Sequence, residues 1–120
     1  MDSDHVEDTP RTIGRKSGLR RTTALTYARD ERVLLVVASA GGAPSPPGWL
    51  LNLEAWPEAE VQIGRDTHRV RARVTTLADP DYARRWLLMD AVNDGRYTVH
   101  QQKTARIIPI VELAAVPPQP

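Results

Sequence analysis

The architecture of this 120-residue chain depends most on the run Val33-Leu34-Leu35-Val36-Val37-Ala38. The run is wholly apolar and rich in β-branched valine, which is typical of a β-strand buried on both faces. Residues 22–28 are also rich in β-branched and aromatic side chains, and Asp30-Glu31 separates the two segments. We therefore predict a first β-hairpin from residues 22–28 and 33–38.

The sequence after this strand predicts a surface loop and then a short helix. Residues 41–48 contain three prolines, which lack a backbone N–H and end regular structure. Residues 49–55 can form two helical turns before Pro57 stops them. The residues expected close to one face of this helix are Trp49, Leu53 and Trp56.

A second hairpin is predicted from residues 61–64 and 68–74, which flank Arg65-Asp66. The second segment alternates polar and apolar residues, so one face of its strand is expected to meet solvent. Farther along, Pro109 lies inside the β-branched stretch 107–113. Because proline donates no hydrogen bond to a neighbouring strand, this stretch is expected to be an edge strand or to carry a bulge.

A longer helix is predicted over about residues 80–93. Asp79 is a candidate N-cap and Pro80 suits the first helical position. The Asp79-Pro80-Asp81 cluster is therefore better explained as helix initiation than as a pair of acid–base carboxylates. One stripe of this helix is formed by Tyr82, Trp86, Met89 and Asn93. The stretch 97–104 is ambiguous.

These elements predict a mainly β (α+β) domain. The helices between most strands are too short for parallel crossovers, so antiparallel pairing should dominate. A small, partly open β-barrel with a few peripheral helices is the expected closure, because closure removes exposed edges. The domain is predicted over residues 13–114, between a flexible acidic arm (1–12), which has almost no apolar content, and a Pro-rich tail (115–120).

Composition argues against several classes of function. The net charge is only +1, and five of the sixteen cations lie in residues 11–21 after an acidic opening, so nucleic acid is not an expected partner. The chain has no cysteine, and its three histidines lack neighbours at metal-ligand spacing, so no metal is expected. No apolar run approaches the roughly 20 residues of a membrane span. We expect a cytoplasmic protein, and the excess of arginine over lysine indicates a bacterial genome rich in G and C.

Two glycine-containing segments could form a cradle for an anionic ligand. In Gly14-Arg15-Lys16-Ser17-Gly18, glycines allow close approach while the other side chains donate to phosphate or carboxylate; the alternative is a solvated basic loop. Ser39 and Gly41-Gly42 follow the apolar strand and could present backbone N–H groups to an anion. Trp49 could stack on a ring system, or belong to the core.

Short motifs with a specific order and spacing run from residue 12 to residue 113. They are Gly14-Arg15-Lys16-Ser17-Gly18, Arg21-Thr22-Thr23-Ala24-Leu25, Val36-Val37-Ala38-Ser39, Gly41-Gly42-Ala43-Pro44, Trp49, Asn52-Leu53, Pro57, Val61-Gln62-Ile63-Gly64, Gln101, Lys103-Thr104, Arg106, Ile108-Pro109 and Ile110-Val111-Glu112-Leu113. In these motifs the sequence resembles the deazaflavin-dependent nitroreductases, also called deazaflavin-dependent quinone reductases.

This resemblance implies a split β-barrel like that of the FMN-binding pyridoxamine-phosphate oxidases. It implies an oxidoreductase that passes a hydride from reduced coenzyme F420, an 8-hydroxy-5-deazaflavin, to a nitro compound, a quinone or a similar planar acceptor. The cofactor-binding residues implied are Arg15, Lys16, Ser17, Arg21, Ala38, Ser39, Gly41, Gly42, Trp49 and Asn52. Tyr97 or His100 would donate a proton to the reduced product, or solvent would do so.

The sequence departs from the family pattern at two places. Ala40 stands where members usually carry lysine, and Leu50-Leu51 replaces a Tyr-His pair, which would make the pocket more apolar and favour acceptors such as quinones. Two alternatives remain: a non-catalytic protein of the split-barrel group that binds or stores the cofactor or another planar ligand, and an FMN-dependent oxidoreductase. The resemblance is compatible with a monomer or a homodimer.

Overall fold

The computed structural model describes the backbone of residues 9–13 and 20–22 and both backbone and side chains of residues 25–116. These parts of the chain contain seven strands, three α-helices and one 3₁₀ turn. The strands are β1 (Thr9–Ile13), β2 (Arg20–Thr22), β3 (Ala28–Asp30), β4 (Val33–Val37), β5 (Glu58–Ile63), β6 (Asp66–Thr75) and β7 (Ile110–Ala115). The helices are α1 (Gly48–Ala55), α2 (Tyr82–Val92) and α3 (Arg96–Gln102), and the 3₁₀ turn covers Ala40–Gly42.

The seven described strands form one antiparallel sheet in the order β2-β1-β5-β6-β7-β4-β3. Strands β5 and β4 stand three places apart, which is about 14 Å in a flat sheet. Yet Val61 of β5 and Val36 of β4 line the same small cavity, together with Leu113 of β7. The sheet is therefore curled. Its described end strands, β2 and β3, do not pair with each other, so the structure is the predicted partly open barrel.

Strand β4 is buried on both faces, as its sequence predicts. Leu34 and Val36 face the inside of the barrel and share a core cluster with the apolar side chains of α1. Leu35 and Val37 belong to a second cluster on the outer face, which α2 and α3 cover. One strand thus joins two cores.

The hairpin before this strand starts later than predicted. β3 covers only Ala28–Asp30 and joins β4 through a two-residue turn in which Glu31 has a left-handed φ of 58°. Residues 25–27 lie outside any strand, so the prediction of one strand over 22–28 is wrong at these three residues. At the other end, Asp30 is the last residue of β3 rather than part of the connection, and ion pairs with Arg84 and Arg85 of α2 compensate the burial of its carboxylate.

Strand β7 is central, and the prediction of an edge strand or bulge there is wrong. It pairs with β6 on one side and β4 on the other. Pro109 precedes the strand, so its missing N–H costs no hydrogen bond between strands. Its carbonyl oxygen accepts the Ala38 N–H at 3.1 Å, which extends the contact with β4 by one step.

Strand β1 overlaps the predicted N-terminal arm. Its pairing with β5 begins at Thr9, whereas its pairing with β2 begins only at Arg11. On the β2 side, Pro10 therefore has no partner strand among the described residues. The structure thus differs from the predicted arm at residues 9–12. Ala115 belongs to β7, one residue into the predicted tail. Residues 1–8 and 117–120 lie outside the described parts of the chain.

The other predicted elements are found. β5 and β6 form the second hairpin, α1 begins one residue earlier than predicted, and α2 lies within the predicted helix. The ambiguous stretch contains α3.

Trp56 is not on the buried face of α1: it adopts an extended backbone after the helix and is 60% exposed. α2 begins at Tyr82 with Asp81 at the N-cap position, so the prediction of Asp79 as N-cap and Pro80 as the first helical residue is wrong by two positions. The Asp79 carboxylate accepts the Asp81 N–H at 2.8 Å just before the helix.

An ion-pair network attaches α2 to the outer face of the sheet. Asp30 of β3 accepts hydrogen bonds from Arg84 at 3.0 Å and from Arg85 at 2.7 Å. Arg85 also donates to Glu112 of β7 at 2.9 Å, and Arg73 of β6 donates to the same carboxylate at 3.0 Å. Asp30 and Arg85 are both buried, so each needs the other as a partner.

The network holds the pKa of both carboxyl groups below their ordinary values of 3.8 for Asp30 and 4.5 for Glu112. For Asp30 the main cause is the hydrogen bond from Arg84; for Glu112 it is the hydrogen bond from Arg73. In both cases burial acts in the opposite direction, and the bonds from Arg85 add to the lowering. Each carboxylate is therefore more stable as an anion in the folded protein.

These shifts predict an acid-sensitive fold. A carboxyl whose pKa is lower when folded contributes stability above its unfolded pKa and loses it as the pH falls through the folded value. The free energy of unfolding should be steady above about pH 5 and fall progressively below about pH 4. Urea denaturation at successive pH values measures it. Glu112→Gln should reduce this pH dependence, whereas the exposed control Glu54→Gln should not; equal curves for the two would contradict the assignment.

Candidate functional site

The candidate site lies where β4 ends. After Ala38 and Ser39 the chain enters the 3₁₀ turn, in which Ala40, Gly41 and Gly42 have φ values of 48°, 66° and 86°. The Gly42 N–H donates to the Ser39 carbonyl at 2.9 Å, and the N–H of the residue after the turn donates to the Ala40 carbonyl at 3.1 Å. Ala40 and Gly41 are exposed. The turn therefore consists of three consecutive residues with a left-handed backbone conformation, and the first two are exposed at the surface.

The two glycines of this turn have different reasons to be glycine. A Cβ on Gly42 would lie 2.5 Å from the His100 carbonyl oxygen and 2.9 Å from the Lys103 Cβ, so only glycine lets α3 approach. A Cβ on Gly41 would meet no atom within 4 Å. Gly42 is thus required by packing, and Gly41 faces open space.

The turn brings Ser39 together with His100, one of the two predicted proton donors. The Ser39 Oγ lies 3.1 Å from the His100 Nδ1. Ser39 is buried, whereas His100 is half-buried. Two residues that are 61 positions apart in the chain therefore form one polar pair.

Tyr97, the other predicted donor, is a core residue. It is 6% exposed, and its ring packs edge-on against His100 at 6.0 Å and tilted against Trp86 at 6.4 Å. Burial raises the pKa of the Tyr97 phenol, against the opposing effect of a hydrogen bond with Thr26. The phenol is therefore neutral at ordinary pH.

Arg106 is a residue of this site to which the sequence analysis gave no role. Its guanidinium donates to three backbone carbonyls, those of Ala38 at 3.2 Å, Ser39 at 2.7 Å and Ala43 at 3.0 Å. The motif around residue 106 was visible in the sequence, but it does not reveal which carbonyls the side chain reaches.

Two other predicted site residues are buried in α1 and are not part of the group formed by Ser39, the left-handed turn and His100. Trp49 and Asn52 of α1 are 8% and 7% exposed, and Trp49 shares the interior core cluster with Ala38. Leu50 is buried in the same cluster. Arg15, Lys16 and Ser17 lie outside the described residues, and only the backbone of Arg21, in β2, is described.

An apolar groove of about 500 Å³ lies between α2, α3 and the segment leading to β7. It is lined by Leu77, Tyr82, Ala83, Trp86, Leu87, Gln101 and Ile107. Its polar groups are turned to internal partners: the Tyr82 hydroxyl donates to the Ile108 carbonyl, and the Trp86 indole N–H donates to Thr98. This groove is not visible in the sequence, because its residues come from three separate segments.

Within the described residues, no three His, Cys, Asp or Glu side chains stand close enough together to bind a metal ion. None of the described helices has both the length and the apolar character needed to cross a membrane.

Alanine substitutions should distinguish the two glycines. A left-handed φ costs a residue with a Cβ about 1–2 kcal/mol, so both Gly41→Ala and Gly42→Ala should be destabilised. Gly42→Ala should lose about 1–3 kcal/mol more because its Cβ collides with α3. Urea denaturation of both variants measures the difference. Equal losses would show that α3 does not pack against Gly42 in solution.

Comparison with known proteins places this architecture in a family. Residues 10–114 match the family described as F420H(2)-dependent quinone reductase. Over 102 residues the chain is 47% identical to an F420H(2)-dependent quinone reductase of Mycobacterium tuberculosis (strain ATCC 25618 / H37Rv), an alignment that covers 85% of this chain and 68% of the relative.

Solved structures show the same fold. A structure described as an F420-H2 dependent reductase (FDR-A) has a TM-score of 0.77 and 30% identity, covering 88% of this chain and 91% of that one. A domain-swapped dimer has a TM-score of 0.76 and 28% identity, covering 94% and 81%. These likenesses confirm the predicted split β-barrel. The match over residues 10–114 and the 47% identity show that this chain belongs to the F420H(2)-dependent quinone reductase family.

Proposed function

We propose that this protein is an oxidoreductase that transfers a hydride from reduced coenzyme F420 to a quinone, a nitro compound or a similar planar acceptor. Its family is defined by dependence on F420H(2), and its relative with 47% identity is named for the same activity. The observation that carries the proposal is the group formed by Ser39, the exposed left-handed turn and His100 at the end of β4.

The chemistry of this group fits an anionic, hydrogen-bonding cofactor. Ser39 supplies a hydroxyl, His100 supplies a ring nitrogen, and the exposed Ala40 and Gly41 supply backbone close to the surface. Arg106 brings a positive charge to the same turn, with no carboxylate partner among the described residues. Hydrogen-bond donors and a cation are what a phosphate or carboxylate requires.

We assign the basic segment of the chain to the anionic part of the cofactor. Lys16 and Arg21 would hold its phosphate and acidic tail, with Arg15 and Ser17 assisting, and the family resemblance supports these roles. Ser39 and the Gly41-Gly42 turn would contact the tail and the ring edge. Trp49 and Asn52, buried in α1, would shape the wall beside the cofactor from within the core.

The reduced deazaflavin supplies the hydride when it is bound, and the protein supplies orientation and exclusion of water. His100 is the better supported proton donor of the two predicted residues, because it is half-buried and paired with Ser39, whereas Tyr97 is inside the core. Acting as the acid, His100 would be the imidazolium, whose Nδ1–H donates to the Ser39 hydroxyl. Its Nε2–H would then be given to the reduced product, which leaves a neutral imidazole.

The proposal also covers the acceptor, which is planar and apolar, and the oligomeric state, which is a monomer or a homodimer. A planar apolar acceptor such as a quinone is supported by the names of the relatives. A homodimer is one of the two states proposed, and the domain-swapped dimer among the structural neighbours supports it. Light scattering of the purified protein distinguishes it from a monomer.

A titration tests the function. Oxidised F420 and FMN are each added to purified protein and binding is followed by fluorescence; oxidation of reduced F420 is then followed with menadione as acceptor. We expect F420 to bind and to be turned over. Binding of F420 without oxidation would indicate a carrier or storage protein, and binding of FMN alone would indicate the flavin alternative. Binding of neither would refute the proposal.

Variants of the two candidate proton donors test the assignment. His100→Gln should lower kcat by about a hundredfold, the usual contribution of a general acid, while the Kd for F420 changes by a much smaller factor because glutamine still presents a hydrogen-bonding group. Tyr97→Phe keeps the buried ring and removes only the hydroxyl, so kcat should stay close to that of the unmodified protein. Steady-state kinetics at fixed pH measures both. If His100→Gln retains full kcat, solvent is the proton source.

A further inference from the structure

The Arg106 guanidinium connects the two ends of the left-handed turn. Nη1 and Nη2 donate to the carbonyls of Ala38 and Ser39, which precede the turn, and Nε donates to the carbonyl of Ala43, which follows it. All three guanidinium nitrogens are therefore engaged by backbone. Because the guanidinium is planar and rigid, its nitrogens fix the relative positions of the three carbonyls.

The turn needs such support. It includes a left-handed alanine, Ala40, a conformation that costs a residue with a Cβ about 1–2 kcal/mol relative to the right-handed region. Its own two hydrogen bonds, from Gly42 and Ala43, close it locally but do not connect it to the rest of the protein. The Arg106 contacts connect it, beside the Ser39–His100 contact and the packing of Gly42 against α3.

Arg106 is itself held at the end of α3. The Gln101 side-chain amide donates to the Arg106 carbonyl at 2.7 Å, and its oxygen accepts the Ile108 N–H at 2.9 Å. The Arg106 N–H donates to the Thr104 hydroxyl at 3.3 Å. Since α3 also carries His100, one assembly fixes both members of the Ser39–His100 pair.

Arg106 differs from the arginines of the outer face. Arg73, Arg84 and Arg85 each pair with carboxylates, whereas within residues 25–116 Arg106 has no carboxylate at ion-pair distance. Among the described residues, its guanidinium is bonded to carbonyl oxygens alone. Its role is therefore not to neutralise a buried acid of the core.

We propose that Arg106 is a positioning residue of the reductase site, which holds the Ser39–Ala43 turn against α3 so that Ser39, the turn and His100 present one fixed surface to the cofactor. This inference rests on the proposed function. The role depends on the three separate nitrogens of the guanidinium, each of which donates to a different carbonyl. A lysine ammonium cannot make this contact, because its N–H groups all lie on a single nitrogen.

Paired substitutions test this role in binding. Arg106→Lys keeps the charge and loses the three-way contact, and Arg106→Gln loses both. Both variants should weaken the binding of oxidised F420, measured by fluorescence, by about tenfold or more. Arg69→Lys and Arg69→Gln are the matched controls, because Arg69 is an exposed arginine paired with Glu58 on β5, and they should bind like the unmodified protein. Normal binding by Arg106→Lys would overturn the proposal, since charge alone would then suffice.

Hydrogen exchange provides a readout that does not need the cofactor. In Arg106→Lys, the amides of Gly42 and Ala43 should exchange at least about tenfold faster, while those of β4 and β7 keep their protection. Unchanged exchange at the turn would refute the positioning role. If Arg106→Lys does not fold, Gln101→Met, which removes the support of Arg106, should give the same pattern in weaker form. Failure of the unmodified protein to bind F420 would refute the proposed function, and the exchange result would still decide the role of Arg106.

Discussion

The structure depends on the burial of β4 on both of its faces. A strand in this position needs an apolar layer on each side, so α1 packs inside the barrel while α2 and α3 cover the outer face. Pairing with β3 and β7 satisfies its backbone. The end of such a strand is held firmly, and it is there, at Ser39, that the chain leaves the sheet and forms the turn of the candidate site.

The outer layer is attached by charge as well as by apolar contact. Arg85 lies between Asp30 and Glu112, and these residues come from the helix and two separate strands. Removing one partner of such a buried pair would leave an uncompensated charge, so the network specifies one position of α2 on the sheet. The position of α2 in turn fixes that of α3, since the two helices share the outer cluster and Tyr97 packs against Trp86.

The candidate site combines structural and chemical roles in one helix. α3 buries Tyr97 in the outer core and presents His100 to Ser39. Its approach requires Gly42, because any Cβ there would collide with the His100 carbonyl. Arg106, just beyond the helix, ties the same turn to the same segment. Packing, turn geometry and the polar pair therefore depend on one another.

The sequence by itself determined β4, the second hairpin, α1 and α2, because their apolar patterns and turn residues are local signals. The family resemblance named the split barrel and the residues that meet at the site, Ser39, Gly42 and His100. Only the tertiary structure decided that β7 is central, that Asp30 is a buried strand end, and that Arg106 serves the turn. Such features rest on contacts between residues far apart in the chain, such as Arg106 and Ser39, which are 67 positions apart. A local pattern carries no information about which distant backbone will supply the partner.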